Sequence, residues 1–348
     1  MTSLVDWSVA ERSARALAPQ PPQVTADQAQ ATVQELREAT ERAAGQVAEL
    51  TRLTEPAITA ATVVVDRPGW IAANVASMSA VMDPLTEKLI AAKRPGKLAT
   101  AVGGRVTGAQ AGAVLAFLSG KVLGQYEFFS VRNGQLLLVA PNLVAVERAL
   151  KVDPSDFRLW VCLHEVTHRV QFTAVPWMRE HMLAEINALT DALDLDPEAL
   201  RERVKNLVSE LAKAARGGGD GNGLLTALAS PETREVMDRV TGFMSLIEGH
   251  AEYVMNAVPR SVIPSQADIE RKFAARRRRG ANPLDRLLRS LLGMDAKTRQ
   301  YTQGSQFVRS VVDQIGLDGF NAVWTSKETL PTKAEITVPA DWVKRVHG

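Results

Sequence analysis

Cysteine is almost absent: Cys162 is the single thiol in 348 residues, so no disulfide can form within the chain and no cysteine cluster can hold a metal. Long apolar runs are missing too. No stretch of about 18 uncharged apolar residues occurs, and the opening Met1-Thr2-Ser3-Leu4-Val5-Asp6-Trp7 has no basic segment leading into an apolar one. Charge of one sign is not in excess, the formal net charge being +2, which argues for no polyanionic partner. Arg271-Lys272 and Arg276 to Arg279 do form a local basic run. Without interleaved aromatics or a nucleic-acid motif, it reads as a solvated segment. These absences predict a chain of the reducing cytoplasm that neither spans a membrane nor binds nucleic acid.

What is present is a globular composition, 46% hydrophobic and 23% charged, and a short stretch of concentrated chemistry. Leu163-His164-Glu165-Val166-Thr167-His168-Arg169 contains H-E-x-x-H. On an α-helix, residues four apart share a face, so His164 and His168 can offer two imidazole nitrogens to one metal ion. Glu165 then stands beside that ion, where it can take the proton of a water, the general-base role in zinc peptidases. The local signals support a helix. Asp153 suits the N-cap, Pro154 the first helical position, and Phe157, Trp160, Val161, Val166 and Val170 its apolar faces, until Pro176 ends it.

Catalytic zinc takes three protein ligands, so a third is needed from elsewhere. His168 is followed by Arg-Val-Gln-Phe-Thr-Ala, which lacks the glycine and histidine of a metzincin. A later helix, introduced by Ser230-Pro231-Glu232, has a buried stripe of Val236, Val240, Phe243, Ile247, Ala251 and Val254. Glu248 lies on its border and is the favoured third ligand, with Glu252, His250 and His181 as alternatives. Glu252, one turn on, can support a ligating imidazole as a hydrogen-bond acceptor. His250 and Tyr301 are candidate donors to a developing oxyanion.

Elsewhere the pattern is mainly helical. Thr25 to Gln28 has the form of a capping box ahead of a helix through Leu50. Thr62 to Val65 fits a short strand or a helix end equally well. From Gly104 a small residue recurs every fourth position to Gly124, a ridge suited to close helix packing. Tyr126 to Val131 and Gln135 to Val139, flanking Asn133-Gly134, predict an antiparallel hairpin, whose edge could hold an extended peptide by strand addition. Gly217 to Gly223 reads as a flexible loop. Lys297 to Gly304 opens a further helix, and the tail from Trp324 through Leu330-Pro331-Thr332 to Trp342 reads as turns wrapping the surface. The expected fold class is mainly α (α+β), a zincin-like helical core with a small antiparallel sheet. Its N-terminal helical layer is expected over residues 1–100 and its catalytic core over 101–348.

With the two metal segments and Glu248-Gly249-His250-Ala251-Glu252-Tyr253 in view, the sequence resembles the gluzincin branch of zinc metallopeptidases. More narrowly it is similar to a mainly actinobacterial zincin-2-like family of zinc-dependent metalloproteases, sometimes labelled as associated with deazaflavin coenzyme biosynthesis. Val64-Val65-Asp66-Arg67-Pro68-Gly69-Trp70, Val122-Leu123-Gly124-Gln125-Tyr126, Ala140-Pro141-Asn142, Arg299-Gln300-Tyr301 with Gly304, and Leu330-Pro331-Thr332 carry this resemblance. It implies a mostly helical zincin with His164, His168 and Glu248 on Zn2+ and Glu165 as base. The expected function is a zinc metallohydrolase acting on a peptide or protein. The competing expectation is a zinc-stabilised binding or regulatory protein of the same fold without turnover.

Overall fold

The computed structural model describes residues 4–56, 59–93, 97–192, 231–278 and 294–348. The glycine-rich segment Gly217 to Gly223, Ser230 and Arg279 lie outside them. In chain order the described elements are α1 (Trp7–Leu17), α2 (Ala26–Thr51), β1 (Ala61–Val65), α3 (Arg67–Lys93), α4 (Lys97–Ser119), β2 (Gly124–Glu127), β3 (Gln135–Val139), α5 (Ala140–Leu150), α6 (Pro154–Ala174), α7 (Trp177–Ala192), α8 (Pro231–Ala257), α9 (Gln266–Arg278) and α10 (Met294–Phe320). Two 3-10 turns, Asn321–Trp324 and Lys327–Thr329, then lead to α11 (Lys333–Thr337) and α12 (Pro339–His347). The fold is therefore mainly α with one small sheet. None of the described helices is long and apolar enough to cross a membrane. The chain divides into two compact units, residues 1–174 with 254–279, and residues 175–253 with 280–348.

In the first unit, the small-residue ridge does what its spacing predicts. A Cβ on Gly108 would lie 2.4 Å from the carbonyl oxygen of Asp6, and one on Gly112 would lie 1.9 Å from Ser13 Oγ. Helix α1 thus packs on the bare backbone of α4, and Asp6 N donates to Gly104 O at 2.8 Å. Helix α2 opens on the Thr25–Gln28 capping box, with both reciprocal hydrogen bonds formed.

The sheet has the order β1-β3-β2. Its central strand is buried from Leu136 to Val139. Thr62 to Val65, ambiguous in sequence, is extended because β3 offers it a parallel partner, with Val63 opposite Leu137. The sheet is consequently mixed and not purely antiparallel. The predicted hairpin forms between β2 and β3, with Gly124 opposite Leu138. Its first strand stops at Glu127, however, short of the expected Val131. The cause is the Glu127 carboxylate, 1% exposed, which accepts hydrogen bonds from Phe129 N at 2.7 Å, Ser130 N at 2.8 Å and Ser130 Oγ at 2.9 Å. Those bonds curl the chain away before the Asn133-Gly134 turn, where Gly134 takes the positive φ of 69°.

Segments far apart in sequence are knitted around this sheet. Arg67 Nε donates to Asn142 Oδ1 at 2.8 Å, and Asn142 Nδ2 donates to Ser119 O at 2.7 Å and Val122 O at 2.6 Å. Trp70 Nε1 donates to Gln125 Oε1 at 2.8 Å. Helix α6 is clamped by two buried arginines. Arg158 holds Glu147 with bonds of 3.0 and 2.7 Å and also pairs with Glu35 of α2. Arg169 holds Glu55 with bonds of 2.9 and 3.0 Å and reaches Thr62 Oγ1 on β1 at 3.2 Å. Eleven residues is about three turns, so both clamps leave the same side of α6. Cys162 lies on that side as well, fully buried against Thr40 Oγ1, and desolvation pushes its thiol up to about 12, leaving it inert.

In the second unit, α8 and α10 cross at glycines. A Cβ on Gly249 would lie 2.1 Å from the carbonyl carbon of Gly304, and one on Gly304 would lie 1.9 Å from Ser245 O. Only hydrogen at both positions allows that approach. The tail is more ordered than its turn-rich sequence suggests: Thr332 and Glu335 form a capping box, Trp342 is buried, and Trp342 Nε1 donates to Thr329 O at 2.7 Å.

Candidate metal centre

Asp153 Oδ1 accepts the Asp156 amide at 2.9 Å, which caps α6 and starts it where the sequence predicts. The helix then runs unbroken through H-E-x-x-H to Ala174. His164 and His168 are half-buried on one face, their rings nearly perpendicular at 87° with centroids 4.6 Å apart. Their Nε2 atoms turn toward each other, 3.2 Å apart. Two nitrogens each about 2.0 to 2.1 Å from a tetrahedral zinc would be separated by about 3.3 Å. The pair therefore already has the spacing that shared coordination demands. His168 Nδ1 faces Gln171 Oε1 at 3.0 Å. A proton on Nδ1, facing that acceptor, would leave the Nε2 lone pair for a metal.

Glu165, the neighbour of His164, is turned by about 100° around the helix axis toward the sheet. It is 7% exposed and lies against Gly124, where an added Cβ would come within 2.5 Å of its Cγ. Any residue larger than glycine at 124 would displace the carboxylate. One turn past His168, Phe172 packs on Phe128 and Tyr126 with ring centroids 4.3 and 5.7 Å away. This aromatic stack joins β2 and the loop after it to α6 on the side that carries Glu165.

The remaining expected site residues belong to the second unit. Glu248 sits in the middle of α8, 4% exposed, and Glu252 is half-buried one turn further on. His250 has no exposed surface and is flanked by Phe320 at 5.5 Å and Trp324 at 5.1 Å between centroids. His181, on α7, packs edge-on against Trp177 and Phe243, and burial lowers its pKa. Tyr301 is on α10, but its side chain lies outside the described residues. Together His164, His168 and Glu248 could hold a metal ion. Two imidazoles and one carboxylate are the donor set of a catalytic zinc that keeps a fourth position open. Gln171 and Gly124 were not singled out for this centre by sequence. An amide three residues past a ligand, and a glycine ending a packing ridge, have no chemical signature until the helix and strand are in place.

The sequence pattern of the zincin-like metallopeptidase family matches residues 5–343. The chain belongs to that family. Among solved structures, a protein from Chloroflexus aurantiacus, provisionally described as a hydrolase with a novel fold, is similar at 30% identity and a TM-score of 0.72, covering 98% of each chain. No curated protein matches. Membership of this family, with a donor set of two histidines and a glutamate, points to a zinc-dependent hydrolase.

Proposed function

We propose that the protein is a zinc-dependent peptidase, with His164, His168 and Glu248 as ligands and Glu165 as general base. The observation that carries the reading is the pair of Nε2 atoms 3.2 Å apart on α6, next to a carboxylate buried against Gly124. Zinc in that position would supply a Lewis acid that polarises the scissile carbonyl. Glu165 takes the proton of the attacking water and returns it to the leaving amine. Strand β2 pairs with β3 along one edge only, among the described residues, and its other edge can take an extended peptide by strand addition. Glu252 supports His164, since Gln171 already serves His168. Tyr301 and His250 are the candidate donors to the carbonyl oxygen. The single buried thiol fits a reducing cytoplasm.

Two measurements test this. Elemental analysis of protein purified without chelators should find about one zinc per chain, and His164→Ala or His168→Ala should lose it. On one peptide substrate at equal zinc occupancy, Glu165→Gln should lower the rate by about a hundredfold to ten-thousandfold while zinc content survives. Equal rates in the two proteins would remove Glu165 from the mechanism. Zinc without turnover on a broad peptide library, in either protein, would establish the binding-protein alternative.

A further inference from the structure

We propose that Gln171 is the positioning residue of this metal centre, its side-chain carbonyl fixing the proton of His168 on Nδ1 so that Nε2 is presented to the metal. The inference rests on the zinc reading above and adds a residue to it. Gln171 has no exposed surface, and its Oε1 lies 3.0 Å from His168 Nδ1. A buried amide with a bond to a ring nitrogen has one hydrogen-bonding arrangement compatible with a metal on the opposite nitrogen. The ring must donate from Nδ1, so the amide must offer its oxygen. That is the orientation found. The other ring nitrogen confirms the direction: His168 Nε2 is the atom turned to His164 Nε2 at 3.2 Å.

Two consequences follow from the residue type and its place. A carboxylate in this position would push electron density into the ring and add a negative charge beside the metal. An amide orients the ring without adding charge, so the support of His168 leaves the metal more of its Lewis acidity than a carboxylate there would. Secondly, Gln171 is three residues beyond His168 on the same helix, so the contact is built by α6 alone. Orienting His168 in this way therefore requires neither a metal nor a glutamate from another helix.

The test uses the whole 348-residue chain in two arms. Zinc affinity is measured by chelator competition, and the His168 tautomer is read in zinc-free protein from imidazole 15N shifts. Wild type should show the Nδ1–H form. Gln171→Met, close in size but without a carbonyl, should lose that preference and bind zinc about 10- to 100-fold more weakly. Gln171→Glu, which keeps an acceptor, should retain both. Glu248→Ala should weaken zinc but leave the His168 tautomer unchanged. If Gln171→Met does not fold, Gln171→Asn, which keeps the amide and withdraws it from reach, should give the same losses. Wild-type affinity or an unchanged tautomer in the folded variant would overturn the proposal. Absence of zinc binding by wild type would overturn the peptidase reading alone, with the tautomer arm still deciding the role of Gln171.

Discussion

The two segments that carry the proposed metal ligands are held by opposite means. The histidine helix α6 is fixed through long side chains: Arg158 and Arg169 reach out to Glu147, Glu35 and Glu55 and leave one face free for chemistry. The glutamate helix α8 is fixed through the absence of side chains, at Gly249 against Gly304 and at Gly242, where a Cβ would sit 2.9 Å from Pro331 O. A buried ion pair fails when one partner is removed, whereas a glycine crossing fails when an atom is added. Each arrangement orients a helix, yet their sensitivities to mutation are mirror images.

Breaking the first arrangement should have the larger effect. Arg158→Ala strands the Glu147 carboxyl, 5% exposed at its side chain, and should cost about 3–5 kcal/mol in denaturant unfolding. Burial already pushes that carboxyl upward, and the bonds from Arg158 oppose the push. Replacing both partners, Arg158→Met with Glu147→Leu, should recover most of the loss, because the apolar pair leaves no uncompensated charge. No recovery would show that the ion pair supplies specific geometry and not merely charge balance.

Adding one methyl group at the crossing comes next. Gly304→Ala must part α8 from α10, at a cost of about 1–3 kcal/mol, since its Cβ would lie 1.9 Å from Ser245 O. Zinc affinity should fall with it, because the carboxylate of Glu248 moves with α8. Gly124→Ala sharpens the contrast. There the obstruction is the Glu165 side chain and not backbone, so peptide hydrolysis should drop while zinc content and melting temperature stay near wild type. Joint loss of zinc and stability in Gly124→Ala would place residue 124 among the supports of the fold.

The smallest effect concerns the C-terminal tail. Burial raises the Glu335 carboxyl, but hydrogen bonds from Arg345 and the Thr332 amide outweigh it and leave the pKa lowered. A carboxyl whose folded pKa lies below its unfolded one stabilises at pH values above the unfolded pKa and loses that contribution as pH falls through the folded one. Arg345 is substantially solvated, so Glu335→Gln should cost no more than about 1 kcal/mol near neutrality, with the difference from wild type vanishing in acid.

Sequence alone determined the helical features that depend on spacing and local chemistry. The capping box at Thr25, the Asp153 cap, the positive φ at Gly134 and the shared face of His164 and His168 each involve residues at most four apart, whose relative positions the backbone fixes by itself. Tertiary structure decided the rest. Whether Thr62 to Val65 would be strand depended on β3, some seventy residues away, offering a parallel partner. Glu127 ended the hairpin early because its buried carboxylate needed donors, and the nearest were the amides of its own loop. Gly124 became the seat of Glu165 only when β2 was laid on α6. Gln171 stands between the two classes: its spacing from His168 is written in the sequence, but an exposed amide there would hydrogen-bond to water. Burial by the rest of the fold leaves its oxygen facing the ring.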